Sequence, residues 1–293
     1  MWTKEIELDF TYDFDYVLRR LAMDPLNTVN LELNKVHIPI QLNTDKHVIE
    51  VESRGSTDKP SFVIKSNSRN DKESLLDIVV DIFLWNRNLN DITKHFKQTN
   101  LASLFELYPG TPVVKDWDLY QSIIKTIIHQ QLNMSFAHTL TKRFVEKYGE
   151  RRQGVWFYPD PETVANIPYQ SLQDLQFSRR KAEYVIDLSR LVVNGELSLE
   201  ELSEKEDQEI IKSLVAIRGV GNWTAENWLL FGLGRSNLLP KTDIGVQNAL
   251  KRYFNREKKP DIREIESWGE QWSPFRSYAT QTIWRSIEEE KPL

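Results

Sequence analysis

At 293 residues, with 28% charged and 40% hydrophobic side chains, the chain has the makeup of a soluble globular protein large enough for two packed units. It contains no cysteine, which excludes disulfides, a thiolate nucleophile, a zinc–thiolate site and an iron–sulfur cluster; five histidines (His37, His47, His95, His129, His138) are too few for a histidine-rich metal centre. The net charge of −5 is uneven, because residues 215–259 carry +5 and the rest −10, a distribution that suits contact with a few phosphates rather than coating of long nucleic acid.

The first twenty residues hold no long apolar run, and no stretch approaches the length of a membrane span. A cytoplasmic, membrane-free protein is expected. Residues 4–10 alternate apolar and acidic side chains (Ile6, Leu8, Phe10), the period of a half-buried strand. Phe14, Val17, Leu18 and Leu21 then give a short helix over 14–22, and strands fit 36–42, 47–53 and 61–66. Nothing in this quarter resembles a catalytic motif, so its expected role is to support the rest.

From about Ser74 the pattern is helical. Leu75, Ile78, Val79, Ile82 and Phe83 open it, and Leu119, Ile123, Ile124, Ile127 and Ile128 form a clean apolar stripe. Further helices are predicted over 179–193, 208–217, 223–233, 244–254 and 261–290, with Pro240 and Pro274 among the breaks. The acidic stretch 195–207 reads as a solvated connection. His129 and His138, nine apart, read as surface or helix-packing residues. The fold class is therefore α+β: a small N-terminal α/β domain with an antiparallel sheet over 1–73, then a mostly helical region over 74–293.

The informative segment is Leu214-Val-Ala-Ile-Arg-Gly219-Val-Gly221-Asn-Trp-Thr-Ala225. A helical end runs into Gly219-Val220-Gly221, and Asn222 is placed to cap the next helix. Paired glycines permit a tight helix–hairpin–helix turn, whose following amides can meet a phosphate. Twenty residues after Trp223, Pro240-Lys-Thr-Asp243 opens another helix. Asp243 is either a capping aspartate or a catalytic carboxylate, and the flanking hairpin and basic cluster favour the second.

Residues 117–290 resemble the helix-hairpin-helix DNA glycosylase superfamily and, within it, AlkA-type DNA-3-methyladenine glycosylases. The matching stretches are Ile127-Ile-His-Gln-Gln131, Arg218-Gly-Val-Gly-Asn-Trp-Thr-Ala225, Leu239-Pro-Lys-Thr-Asp243 and Trp272-Ser-Pro-Phe-Arg-Ser-Tyr-Ala279. The resemblance implies two helical subdomains with the active-site cleft between them, and a monomer that flips a damaged base from double-stranded DNA and hydrolyses its N-glycosidic bond. Asp243 would be the catalytic carboxylate and Trp223 and Trp284 would line the substrate pocket. Gln131, Gly219, Gly221 and Thr224 would meet DNA. Trp223 stands where lyase-active members carry a lysine, so water is the expected nucleophile. A Na+ or K+ at the main-chain oxygens of Val215, Ile217 and Val220 is a further implication, and no organic cofactor is expected. Gln131 replaces the leucine wedge of AlkA and Asn227 a pocket tyrosine; Gln130 matches the family's glutamine, which a structural hydrogen bond explains equally well, and Arg276 is a structural ion-pair partner or a site residue, with the first favoured. Rival readings are a glycosylase for oxidised or deaminated bases and a non-catalytic DNA-binding protein.

Overall fold

The structure is a computed structural model in which residues 1–68 and 71–289 are described. Strands β1 (Trp2–Glu7), β2 (Thr28–Asn30), β3 (Lys35–Leu42), β4 (Asp45–Ser53) and β5 (Ser61–Ser66), with helix α1 (Phe14–Ala22) after the first, make an antiparallel sheet in the order β1-β5-β4-β3-β2. Helices α2 (Lys72–Ile82), α3 (Leu89–Phe96), α4 (Ala102–Leu107), α5 (Leu119–His129) and α6 (Met134–Tyr148) follow. A hairpin of β6 (Glu150–Arg152) and β7 (Val155–Phe157) precedes α7 (Pro161–Ala165), α8 (Tyr169–Gln173), α9 (Arg179–Val193), α10 (Leu199–Ser203) and α11 (Asp207–Val215). Helix α12 (Asn222–Asn227) runs into a π-helical turn at Trp228–Gly232. The chain ends with α13 (Ile244–Tyr253), α14 (Ile262–Gly269), a 3-10 turn at Glu270–Trp272 and α15 (Arg276–Glu288). Among the described residues no helix is long and apolar enough to cross a membrane.

Strand alternation becomes one buried sheet face. The register aligns Val36 with Val51 and Val51 with Ile64, and all three are fully buried. Phe14 of α1 closes over this face edge-on to Phe62, with ring centroids 5.0 Å apart. The same core takes in α2 and α3 and continues to Val246 and Leu250 of α13 and Ile283 of α15. A second core joins the α5 stripe to Ala182, Val185 and Ile186 of α9, Leu214 of α11, and Val220, Ala225 and Trp228 around the hairpin. The sheet thus shares its interior with the helices that end the chain, and the α5–α12 helices form the other body of packing.

Several sequence expectations change. The first strand stops at Glu7 rather than 10: Leu8 N still donates to Pro60 O at 3.0 Å, but Pro60 has no amide with which to continue the ladder. The 195–207 stretch is not wholly solvated: its Ser198-capped helix α10 buries Leu199 and Leu202, an i, i+3 pair on one face. The helix expected over 261–290 breaks between Trp272 and Arg276 around Pro274, which has no amide to donate; residue 290 lies outside the described residues. Asn222 is the first helical residue of α12 and Gly221 is its cap, so the following amides have no side-chain partner.

The α5–α6 reversal brings His129 and His138 to 5.5 Å between ring centroids, with His129 Nε2 3.1 Å from Thr141 Oγ1. Burial, with Lys125 nearby, pushes the His129 imidazole well below its usual range, so it is neutral packing material. Lys181 of α9 donates to the carbonyls of Ile127 (2.8 Å) and Gln130 (3.1 Å), anchoring the end of α5. Burial holds its ammonium down to about 8 from 10.5. Unfolding between those pH values therefore takes up a proton. Stability relative to Lys181→Met is expected to rise with pH through this window, by on the order of 3 kcal/mol. Denaturant unfolding at pH 7.5 and 10 checks it; a difference that stays flat would mean the amine titrates in the fold as it does in the open chain.

Candidate active site

The site lies where the two cores meet. Asp243 caps α13: its backbone is extended (φ −67, ψ 126) and its Oδ1 accepts from Val246 N at 2.9 Å. Two indoles complete the hold. Trp284 Nε1 donates to Oδ1 at 3.0 Å and Trp223 Nε1 to Oδ2 at 3.3 Å. Trp223 comes from the hairpin side and Trp284 from α15, so one carboxylate is clasped from both bodies of packing, half-exposed, with both oxygens oriented by neutral donors. Such a group can face a developing positive charge, or align a water, without reorganising.

The hairpin is built around Gly219, whose φ is +92. A Cβ there would stand 2.2 Å from the Tyr184 ring, so glycine is required by both conformation and space. Gly221 has open space around it and no positive φ. Gly219→Ala is expected to cost about 2–3 kcal/mol, whereas Gly221→Ala leaves the unfolding midpoint nearly unchanged. Denaturant melts of the two proteins side by side decide this, and equal midpoints would refute the assignment. Gln130 ties the hairpin to α5 by donating through Nε2 to Gly219 O (2.9 Å) and Thr224 Oγ1 (2.7 Å).

A family model described as HhH-GPD superfamily base excision DNA repair protein matches residues 124–274. The chain belongs to that superfamily. Within it, the Bacillus subtilis protein YfjP, provisionally named a DNA-3-methyladenine glycosylase, is 46% identical over 98% of this chain and 100% of its own length. A second Bacillus subtilis protein, named DNA-3-methyladenine glycosylase, is 31% identical over 72% of each chain. A solved 3-methyladenine DNA-glycosylase from Archaeoglobus fulgidus covers 100% of both chains with a TM-score of 0.86 at 21% identity, a likeness of fold.

As an HhH-GPD protein, the chain brings together Asp243, Trp223 and Trp284, three residues singled out from sequence. Gln131 lies at the α5–α6 reversal, exposed and with φ 56. Thr224 is 1% exposed with its hydroxyl engaged by Gln130, so only its amide is left for a surface contact. Asn227 turns back on its own helix, donating to Trp223 O at 2.7 Å. Arg276 donates through Nε to Gly269 O at 2.9 Å. The basic segment is less free than its count implies. Arg218 pairs with Glu183, Arg235 with Asp207, Lys241 with Glu266 and Arg256 with Glu264, all acids from outside the segment.

Two contributors escape sequence reasoning. Gly245 lets the indole in: a Cβ there would lie 3.0 Å from Asp243 Oδ1 and 3.1 Å from Trp284 Nε1. Its spacing two residues after the aspartate was the available signal. Arg20, in the quarter expected only to support, lies with its Cζ 5.8 Å from the ring centroids of both Trp284 and Phe231. No local pattern marks it.

Proposed function

We propose that this chain is a monofunctional DNA glycosylase that everts an alkylated base, 3-methyladenine and related purines, from double-stranded DNA and hydrolyses its N-glycosidic bond. The observation that carries the reading is the carboxylate of Asp243 clasped by Trp223 and Trp284 beside the hairpin. The names of the relatives support the substrate class.

Extrusion is needed because the bond is inaccessible within the duplex, and it costs least for a damaged base. Breaking the bond leaves positive charge on the sugar; the fixed carboxylate stabilises it and orients the attacking water. At the hairpin, the uncapped amides that follow Gly221 suit a phosphate. Gln131, exposed on its strained turn, suits the gap left by the base. The positions of Val215, Ile217 and Val220 on one turn fit main-chain ligation of a Na+ or K+; the Ile217 carbonyl accepts the Val220 amide at 3.0 Å and keeps a second lone pair. Such an ion would neutralise charge between the hairpin and a phosphate. The protein acts as a cytoplasmic monomer in this reading.

The test is chromatography of bases released from methylated duplex DNA by the purified protein. Free methylated purines should appear, with strands left intact until alkali is added. Duplex binding without any released base would end the proposal, and strand cleavage without alkali would remove its monofunctional part.

A further inference from the structure

We propose that Arg20 is a specificity-determining residue of the base pocket, tilting it toward alkylated bases that carry no formal positive charge. The inference rests on the glycosylase reading of the Asp243 site and concerns how that site ranks neutral against cationic alkylated bases.

Trp284, whose indole reaches Asp243, stacks on Phe231 with ring centroids 5.9 Å apart and planes 18° from parallel. Both rings are half-buried, forming a partly open aromatic wall next to the carboxylate. The Arg20 guanidinium already lies against both, at 5.8 Å from each centroid. It is held there. Nη1 donates to Glu288 Oε1 at 2.5 Å and to Tyr16 OH at 3.4 Å. Tyr16 OH in turn donates to Glu288 Oε2 at 3.0 Å and accepts from Gln281 Nε2 at 2.6 Å. Lys125, which Asp116 holds at 2.7 Å with further support from Asp24, also feels the like charge of Arg20.

An aromatic face attracts a cation through its ring quadrupole. An alkylpurine methylated at N3 or N7 is itself a cation and would seek that attraction. Here the wall has a resident cation, so a charged base meets occupied rings and a like charge. The Glu288 pair reduces the outward field of the guanidinium but does not clear the rings. A neutral adduct meets no such opposition, and the Nε and Nη2 donors of Arg20 are left to meet a lone pair on its edge.

The experiment measures duplex affinity with lesions whose 2′-fluoro sugar resists cleavage, one carrying cationic 7-methylguanine and the other neutral 1,N6-ethenoadenine. Wild type is compared with Arg20→Leu and Arg20→Gln. Both variants should shift the ratio of the two Kd values toward the cationic base by about tenfold. Because each ratio is taken within one protein preparation, partial loss of folded protein cancels. An unchanged ratio in both variants, or a shift the other way, overturns the inference. Base release is then assayed on the same lesions with ordinary sugars: a shifted ratio without release of either base would refute the glycosylase reading and leave the pocket inference standing.

Discussion

Asp243→Asn is expected to slow base release by about a thousandfold or more. Duplex affinity should change by no more than about threefold, because the substituted group is not a phosphate contact in the proposed reaction. Asparagine is a good helix cap, so the amide oxygen can keep the bonds that Oδ1 receives from Val246 N and Trp284 Nε1. The fold should therefore survive. What is lost is the negative charge opposite the sugar. In addition, the new amide nitrogen stands where Oδ2 accepts the Trp223 indole, so two donors face each other. Single-turnover release from a methylated duplex, with affinity measured in parallel, reads both quantities. A variant within tenfold of wild type would take the carboxylate out of the mechanism.

Arg285→Met is expected to destabilise the protein by about 3–5 kcal/mol, the cost of leaving a buried charge without its partner. Arg285 is almost fully buried, donates to Asp13 Oδ2 at 2.5 Å and to Thr111 Oγ1 at 2.8 Å, and lies 4.2 Å from the Tyr16 ring centroid and 5.1 Å from that of Tyr108. Asp13 is the cap of α1, accepting Tyr16 N at 2.9 Å, so the pair fastens the helix that carries Arg20 to the helix that carries Trp284. Urea unfolding measures the loss. The double variant with Asp13→Asn should recover part of it, since Asp13 is then no longer an orphaned carboxylate and Glu289, the other partner of Arg285, keeps Arg19. A single-variant loss below about 1 kcal/mol would show that the pair contributes little. The same substitution should disturb the aromatic wall, because both of its supports meet at this ion pair.

Local chemistry made much of the architecture readable in advance. The helix 179–193 was visible because its apolar residues recur at helical spacing, and the structure adds the Ser178 cap that opens it. Strands 36–42 and 61–66 were visible because alternation reports a sheet with one buried face. Asp243 stood out from its place at a helix start flanked by the hairpin and the basic cluster, Trp223 from the family resemblance, and the hairpin from its two glycines. Where several local signals competed, the reading faltered. Acidic density hid the buried Leu199 and Leu202, and the cap preference of asparagine drew attention to Asn222 while Gly221 held the position.

The sequence by itself determined the helix and strand periods, the hairpin and the one aspartate at the head of its helix, since each is encoded by neighbours along the chain. Only the tertiary structure decided that the indoles of Trp223 and Trp284 share that carboxylate, that Gly245 makes room for the second, that half of the basic segment is tied to distant acids, and that Arg20 from the sheet-bearing part lies on the aromatic wall. The physical reason is range. Capping and periodicity act over a few residues, whereas hydrogen bonds and cation–π contacts between remote segments exist only after two cores have packed and placed their edges together.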